Sequence, residues 1–509
     1  MKRIRIILLI IIICMNVTCI SNNVLNDTKS LSEQLAKIEK NQDLKSLKTI
    51  LDDKILVYIP DAPIIYSKEV VVELFKYSWS RNEVNTDILY KANSIKEHKN
   101  EVIEGGIYSY KDDKGDKIEM PYRIVGIKVN NKFLIKELVY ANSKKQLPVL
   151  PKPTGVYKVG QSTHFYQKDE NRKRPIAFQI WYPTNNDSEK KLPFQSKTVA
   201  RGICEFLGWP IFNNSFTVLM KSNSISNPHI VQNKKFPVVI YNHGYGGASP
   251  VYQTVFEELA SHGYIVVSLG HQDESAFLIK ENGSIVQNSP QNEFYQKRAP
   301  ELNNRTIGQE QSIILNSDNL EDLTKAYKKL VNLSPLHTES VNLWTSDTEN
   351  TIKILQDLNN HNTNLKGSFD FNNMGIFGHS VGGATAGQLA SETIFKAGIN
   401  IDGFQFGNLI NSKLRIPFLF ISSNQEGNRY LRVTPFADST ENDTYQAIIK
   451  GFSHDSFSDL QLFSPNGDND IQLQRELILG FFNKYLKNRN IDFKSIKSQY
   501  KNLRINKLK

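Results

Sequence analysis

"MGIFGHSVGGATAGQLA", residues 374–390, decides the fold of this chain. Gly378-His379-Ser380-Val381-Gly382 fits G-x-S-x-G, a pattern in which a strand turns sharply into a helix and exposes a serine at the turn. So short a pattern also arises by chance, and its surroundings decide. "MGIF" is an apolar strand, and "GGATAGQLA" is a helix of small residues able to lie close against a sheet. Gly378 and Gly382 allow the backbone to turn where a Cβ would clash.

Working outward, short apolar runs alternate with helix-length segments. The runs include "IAFQIWYP", "FPVVIYNHG" (236–244), "YIVVSLGH" (264–271), "AGINIDG" (397–403), "IPFLFISS" (416–423) and "TYQAIIKG" (444–451). "YQTVFEELASHG" and "TSDTENTIKILQDL" are the helical patterns between them. Continuous Val/Ile/Phe runs separated by helices predict a mostly parallel sheet buried on both faces, hence an α/β fold. Ligands of such a fold bind at the carboxyl ends of the strands. Residues 275–345 break the rhythm with polar, Asn-rich sequence and read as an insertion over those strand ends, in the place of a lid.

A serine hydroxyl becomes a nucleophile when a base takes its proton and an acid orients the base. His454 in "KGFSHDSF" is the one histidine after Ser380, and it follows the last apolar run. Asp402 ends the strand "AGINID"; Glu426 in "SSNQEG" is the alternative acid, and Asp455 reads as a loop charge. An oxyanion needs two N–H donors. Val381, just after the serine, supplies one, and Tyr245 in the loop "YNHGYGG" the other, with His243 holding that loop. There is no C-x-x-C and no paired-His metal spacing, and the chemistry calls for neither a metal nor a cofactor.

"FPVVIYNHGYGGASPVYQTVFEELASHGYIVVSLGHQDESA", "GIFGHSVGGATAGQL" and "AGINIDG" together resemble the plasma and type II platelet-activating factor acetylhydrolases and their bacterial relatives, over residues 154–487. The resemblance implies an α/β-hydrolase fold and a serine esterase. It favours Asp402 over Glu426 as the acid. It also implies a small-molecule or lipid ester as substrate, with short or oxidised acyl chains on phospholipids in view. The long 275–345 segment departs from the compact family pattern. An acyltransferase using the same three residues and a ligand-binding protein on an inactive scaffold are the rival readings.

The chain has 509 residues, enough for more than one folding unit. Residues 28–142 read as a small α+β domain, with helices "SLSEQLAKIEK" and "SKEVVVELFKYSW" followed by the strands "NEVIEGGIYSYK", "YRIVGIKV" and "KFLIKELVYANS". This order resembles the cone-like SnoaL-type domains and implies an accessory role. Residues 143–155, with "KKQLPVLPKPTG", form a Pro-rich linker to a hydrolase domain at 156–487. Residues 1–19 have a basic head (Lys2, Arg3, Arg5), then an apolar run too short to span a bilayer, and end at Cys19. They read as a signal peptide of lipoprotein type, for an exported protein in the periplasm or at the cell surface, with Cys19 as the anchor.

The basic head and the basic tail 488–509, with the Lys484–Lys487 turn before it, account for the whole net charge of +10. The middle is close to neutral, which argues against a nucleic-acid partner. The tail reads as a solvated terminus, with contact to an anionic membrane surface as its sharper role.

Overall fold

In the computed structural model of the chain, residues 30–60, 62–80, 88–111, 116–141, 147–170, 174–424 and 429–509 are described. The leader with Cys19, the start of the linker and Glu426 lie outside the described residues. The chain divides into two compact units, one of residues 1–147 with 195–220, the other of 148–194 with 221–509. Residues 195–220, expected within the hydrolase domain, therefore belong to the first unit. Their amphipathic helix Lys197–Leu207 buries Val199, Ala200 and Cys204 there.

The first unit is a six-stranded sheet with helices Leu31–Asn41, Leu44–Ile50 and Lys68–Ser80. Leu35, Leu47, Val71, Ile124 and Ile135 are buried in its core. Its edge strand Leu89–His98 is almost wholly exposed and carries no apolar alternation that would have revealed it.

The second unit holds the G-x-S-x-G stretch. The strands of its main sheet are β1 (Lys158–Tyr166), β2 (Ile176–Thr184), β3 (Lys191–Pro193), β4 (Lys221–Ser226), β5 (Phe236–Asn242), β6 (Ile265–Gly270), β7 (Phe369–His379), β8 (Ala397–Ile401), β9 (Phe418–Asn424), β10 (Thr444–Lys450) and β11 (Leu503–Lys507). They form one sheet in the order β11-β10-β9-β8-β7-β5-β6-β2-β1-β4-β3. From β6 to β10 neighbours run parallel. β2, expected to be parallel, is antiparallel to both β6 and β1. Its short connection to β1 makes a hairpin, since a parallel return would need a crossover.

Side chains on the central strands alternate between two buried layers. Val238 and Ile240 of β5 join one cluster, and Val239 and Tyr241 the other. Helices α1 (Gln253–Ser261) and α7 (Gly467–Leu486) cover the second layer. After α2 (Glu293–Leu302), the first is covered by α3 (Arg305–Asn316), α4 (Leu320–Leu333) and the 27-residue α5 (Pro335–His361). The insertion thus runs on into a helix of the fold itself. α6 (Val381–Leu389) follows β7 directly.

Two linking segments are more ordered than expected. The Pro-rich stretch is pinned to its unit: Arg475 donates to the carbonyls of Pro151 and Lys152, and Thr154 donates to Glu258. The basic tail is not a solvated terminus. Phe493, Ile496, Leu503 and Ile505 are buried, and β11 completes the sheet antiparallel to β10, pairing Ile505 with Ala447. Lys494, Lys497, Lys501 and Arg504 occupy the exposed positions between them, which is why the charge pattern hides the amphipathic one.

Truncation after Lys487 should therefore lower Tm sharply and promote association through the bared edge of β10. Each of the four lost apolar side chains contributes roughly 1.5–3 kcal/mol. A solvated tail would leave the thermal transition unchanged.

Candidate active site

Strand β7 ends at His379 and helix α6 begins at Val381, so Ser380 alone makes the turn. Its backbone stands at φ 57° and ψ −121°, a conformation a side-chain-bearing residue adopts only under constraint. The constraint is close packing. A Cβ on Gly378 would lie 2.3 Å from the carbonyl oxygen of Gly382, and one on Gly382 would lie 2.1 Å from that of Asn242. The Ser380 N–H donates to the carbonyl of Ile401 at 2.9 Å, tying the turn to β8.

Asp402 is the residue after β8, at φ 53°. Its buried carboxylate accepts from the Ser423 N–H at 2.7 Å, the Ser423 hydroxyl at 2.8 Å and His454 Nδ1–H at 2.8 Å. Burial pushes this carboxyl up, but the His454 contact and the two Ser423 donors outweigh it and hold it below its ordinary value.

His454 opens a short turn after β10, with half its side chain exposed. Burial lowers its pKa, the Asp402 carboxylate raises it more, and Asp455 adds to the rise, so it stands above the ordinary value. With Nδ1–H given to Asp402, the neutral ring keeps Nε2 as an acceptor. His379 packs against it with ring centroids 4.4 Å apart and donates Nε2–H to the His454 carbonyl at 3.0 Å. Burial, then the neighbouring His454, pushes His379 down to about 3, so it stays neutral beside its neighbour.

The loop after β5 is held from behind. His243 Nδ1–H donates to the Gly244 carbonyl at 2.6 Å, and the Gly247 N–H donates to the same oxygen at 2.8 Å. In a trans peptide the N–H points opposite to the C=O, so fixing the Gly244 carbonyl inward turns the Tyr245 N–H outward. His243 Nε2 accepts from the Ser275 hydroxyl at 2.7 Å, and Ser275 Oγ accepts from the His271 N–H at 2.6 Å. Burial pushes His243 down to about 3 and keeps it a neutral, structural ring. Val381 is the first residue of α6, where backbone N–H groups have no partner within the helix.

Tyr245, Ser380, Val381, Asp402 and His454 line one cavity of about 500 Å³. Leu315, Phe404, Phe406 and Leu431 give it apolar walls. Gln311 and Leu315 of α3 and His337 of α5 bring the insertion into the wall. Among the described residues, no group of three His, Cys, Asp or Glu side chains is placed to hold a metal ion.

The structure thus brings Ser380, Asp402, His454, Tyr245 and Val381 to one place. Sequence reasoning missed Ser423, which fixes the Asp402 carboxylate. The parallel register pairs Ile401 with Ile421, so Asp402, one residue beyond its strand partner, meets Ser423, two residues beyond. The doubled serine at the end of "IPFLFISS" was the available signal.

Comparisons with known proteins agree with this architecture. A family model described as platelet-activating factor acetylhydrolase, isoform II, matches residues 140–469. The chain is 29% identical over 362 residues to the platelet-activating factor acetylhydrolase of Cavia porcellus, covering 66% of this chain and 78% of that protein. With the Bos taurus enzyme of the same name it shares 26% over 367 residues, covering 66% and 77%. A solved ferulic acid esterase from Streptomyces cinnamoneus superposes with a TM-score of 0.50 at 17% identity, over 68% of this chain and 96% of its own. That likeness speaks for the fold alone. The chain belongs to the platelet-activating factor acetylhydrolase isoform II family and is a carboxylic ester hydrolase.

The geometry fixes the sign of one titration. His454 should titrate above the ordinary 6.5 by imidazole NMR, because Asp402 favours its protonated form. Asp402→Asn should bring the midpoint below the wild-type value; an unchanged midpoint would show that Asp402 does not act on this ring.

Proposed function

We propose that the chain hydrolyses short-acyl carboxylic esters, phospholipid-borne ones among them, through an acyl-enzyme on Ser380. One observation carries the reading: a serine at a strained strand-to-helix turn shares a cavity with a His454 ring whose far side is bound to a buried Asp402. Family membership supports the ester chemistry. The cavity volume supports short acyl groups, because about 500 Å³ must hold acyl chain, carbonyl and part of the alcohol together.

In the first half-reaction Ser380 Oγ attacks the carbonyl carbon while His454 Nε2 takes its proton. Asp402 holds the ring and favours the imidazolium that forms. The carbonyl oxygen becomes an oxyanion and accepts from the N–H groups of Tyr245 and Val381, each such donor typically contributing roughly 3–4 kcal/mol to the transition state. The C–O bond to the alcohol then breaks as His454 returns the proton to the leaving oxygen. In the second half-reaction water adds to the acyl carbon, His454 takes a proton from it, and the acid leaves as Oγ regains its hydrogen. The basic-then-apolar leader ending at Cys19 supports placing this chemistry outside the cytoplasm.

The test is a series of 4-nitrophenyl esters from acetyl to palmitoyl, with Ser380→Ala in parallel. Turnover should peak at short chains and fall roughly a million-fold in the mutant. Wild-type kcat/KM should fall on acidification with a midpoint above 6.5, because protonated His454 cannot accept the serine proton. Residual esterase activity of more than a few per cent in Ser380→Ala would sink the assignment.

A further inference from the structure

The catalytic cavity has a charge that the hydrolytic mechanism does not use. Arg429 lines it, and its exposed guanidinium has no ion-pair partner among the described residues. The carboxylate that lines the same cavity, Asp402, is already committed to Ser423 and His454. Beside Arg429, Tyr430 also lines the cavity and lies between two further arginines. The Arg432 guanidinium is 3.7 Å from its ring centroid and that of Arg504 is 6.0 Å away. Arg432 is neutralised by Asp318 at 3.0 Å, whereas Arg504 is exposed and adds to the positive field.

The segment carrying Arg429 is built to hold still. The Arg432 guanidinium donates to the carbonyls of Leu315 at 2.8 Å and Tyr430 at 3.1 Å, and the Arg432 N–H donates to that of Ile314 at 3.1 Å. The bonds to Leu315 and Ile314 satisfy carbonyls in the last turn of α3 and put a cation at that helix C-terminus, where it is favoured. The Tyr327 hydroxyl, from α4, donates to the Arg432 carbonyl at 2.8 Å. Residues 430–432 are thus stitched to α3 and α4 of the insertion, and Arg429 adjoins them in sequence.

We propose that Arg429 is a specificity-determining residue that selects esters bearing an anionic group, a carboxylate or a phosphate, within reach of the scissile bond. A compact cavity of this volume is roughly 10 Å across. An ester carbonyl at Ser380 and an anion three to five atoms away therefore fit together, and the planar guanidinium matches either anion with two parallel hydrogen bonds. This inference rests on the esterase reading of the site, and its test separates the two.

Binding is measured in the full chain carrying Ser380→Ala, with and without Arg429→Gln. The probes are the 4-nitrophenyl half-ester of glutaric acid against 4-nitrophenyl pentanoate, and 1-acetylglycerol 3-phosphate against 1-acetylglycerol. The anionic member of at least one pair should bind about tenfold more tightly at low salt, and the preference should fade as salt screens it. Arg429→Gln should abolish the preference, and Arg429→Lys, which keeps the charge and loses the paired hydrogen bonds, should retain only part of it. The pair that responds tells whether the anion sits on the acyl or the alcohol side. No preference in either pair, or one that survives Arg429→Gln, overturns the proposal. Turnover of the same esters by wild type is read separately: absence of turnover with the binding preference intact would refute the esterase reading and leave Arg429's role standing.

Discussion

A single residue, Ser380, carries the chain from strand to helix, and the rest of the site depends on that turn. Holding a residue at φ 57° and ψ −121° costs on the order of 1–3 kcal/mol, which the packing around it must offset. The offset is also what locates the other groups. The Gly382 contact brings the helix against Asn242, the last residue of β5, so the loop that carries Tyr245 starts within touching distance of the serine. On the other side, the Ser380 N–H is bonded to Ile401, so Asp402 must follow one residue later. β5 and β8 are the two strands flanking β7. The Tyr245 loop and Asp402 therefore arrive from opposite neighbours of the strand that leads into Ser380.

Behind the loop that carries Tyr245 lies a connected set of buried polar groups, which are costly to bury without partners. The His271 ring stacks on Trp344 at 3.9 Å and bonds to Asp347 and Asn242 at 3.0 Å each. Glu274 accepts from Trp344 Nε1–H at 2.7 Å and from the Ser340 hydroxyl. Its carboxyl is pushed up by burial, which those donors and Arg298 only partly oppose. The chain of contacts from α5 through His271 and Ser275 to His243 ends on the Gly244 carbonyl. This network fixes the peptide that carries the Tyr245 N–H, and the oxyanion role proposed for that group calls for a donor that is not reoriented during the reaction.

What was legible in the sequence is what short-range pattern encodes. The elbow, the apolar strands and the chain order of Ser380, Asp402 and His454 all show in local composition and spacing. Several features were hidden because their cause is non-local. Ser423 matters through its neighbour in a parallel register, not through its own sequence context. The antiparallel run of β2 depends on a hairpin that apolar composition does not distinguish from a crossover. The tail looked solvated because lysines alternate with Phe493, Ile496, Leu503 and Ile505, and net charge masks the stripe. Residues 195–220 joined the other unit for a tertiary reason: their amphipathic helix buries its apolar face there.

The same non-local cause changes how the insertion works. Polar composition over 275–345 reads as a flap over the strand ends, free to lift. Yet Ile314, Tyr327, Leu330 and Trp344 belong to the same buried cluster as Val238 and Ile240 of the central sheet. Exposing each of those side chains would cost roughly 1.5–3 kcal/mol, so lifting the segment as a body would consume much of a domain's ordinary stability. The segment is a wall. Gln311, Leu315 and His337 face the cavity, while Ile314, Tyr327, Leu330 and Trp344 are part of the core. The cavity wall is then a preformed surface made of Gln311, Leu315 and His337 together with Arg429, Tyr430 and Leu431. A rigid surface of this kind selects by fit and charge, without a closing step to add to the difference between substrates.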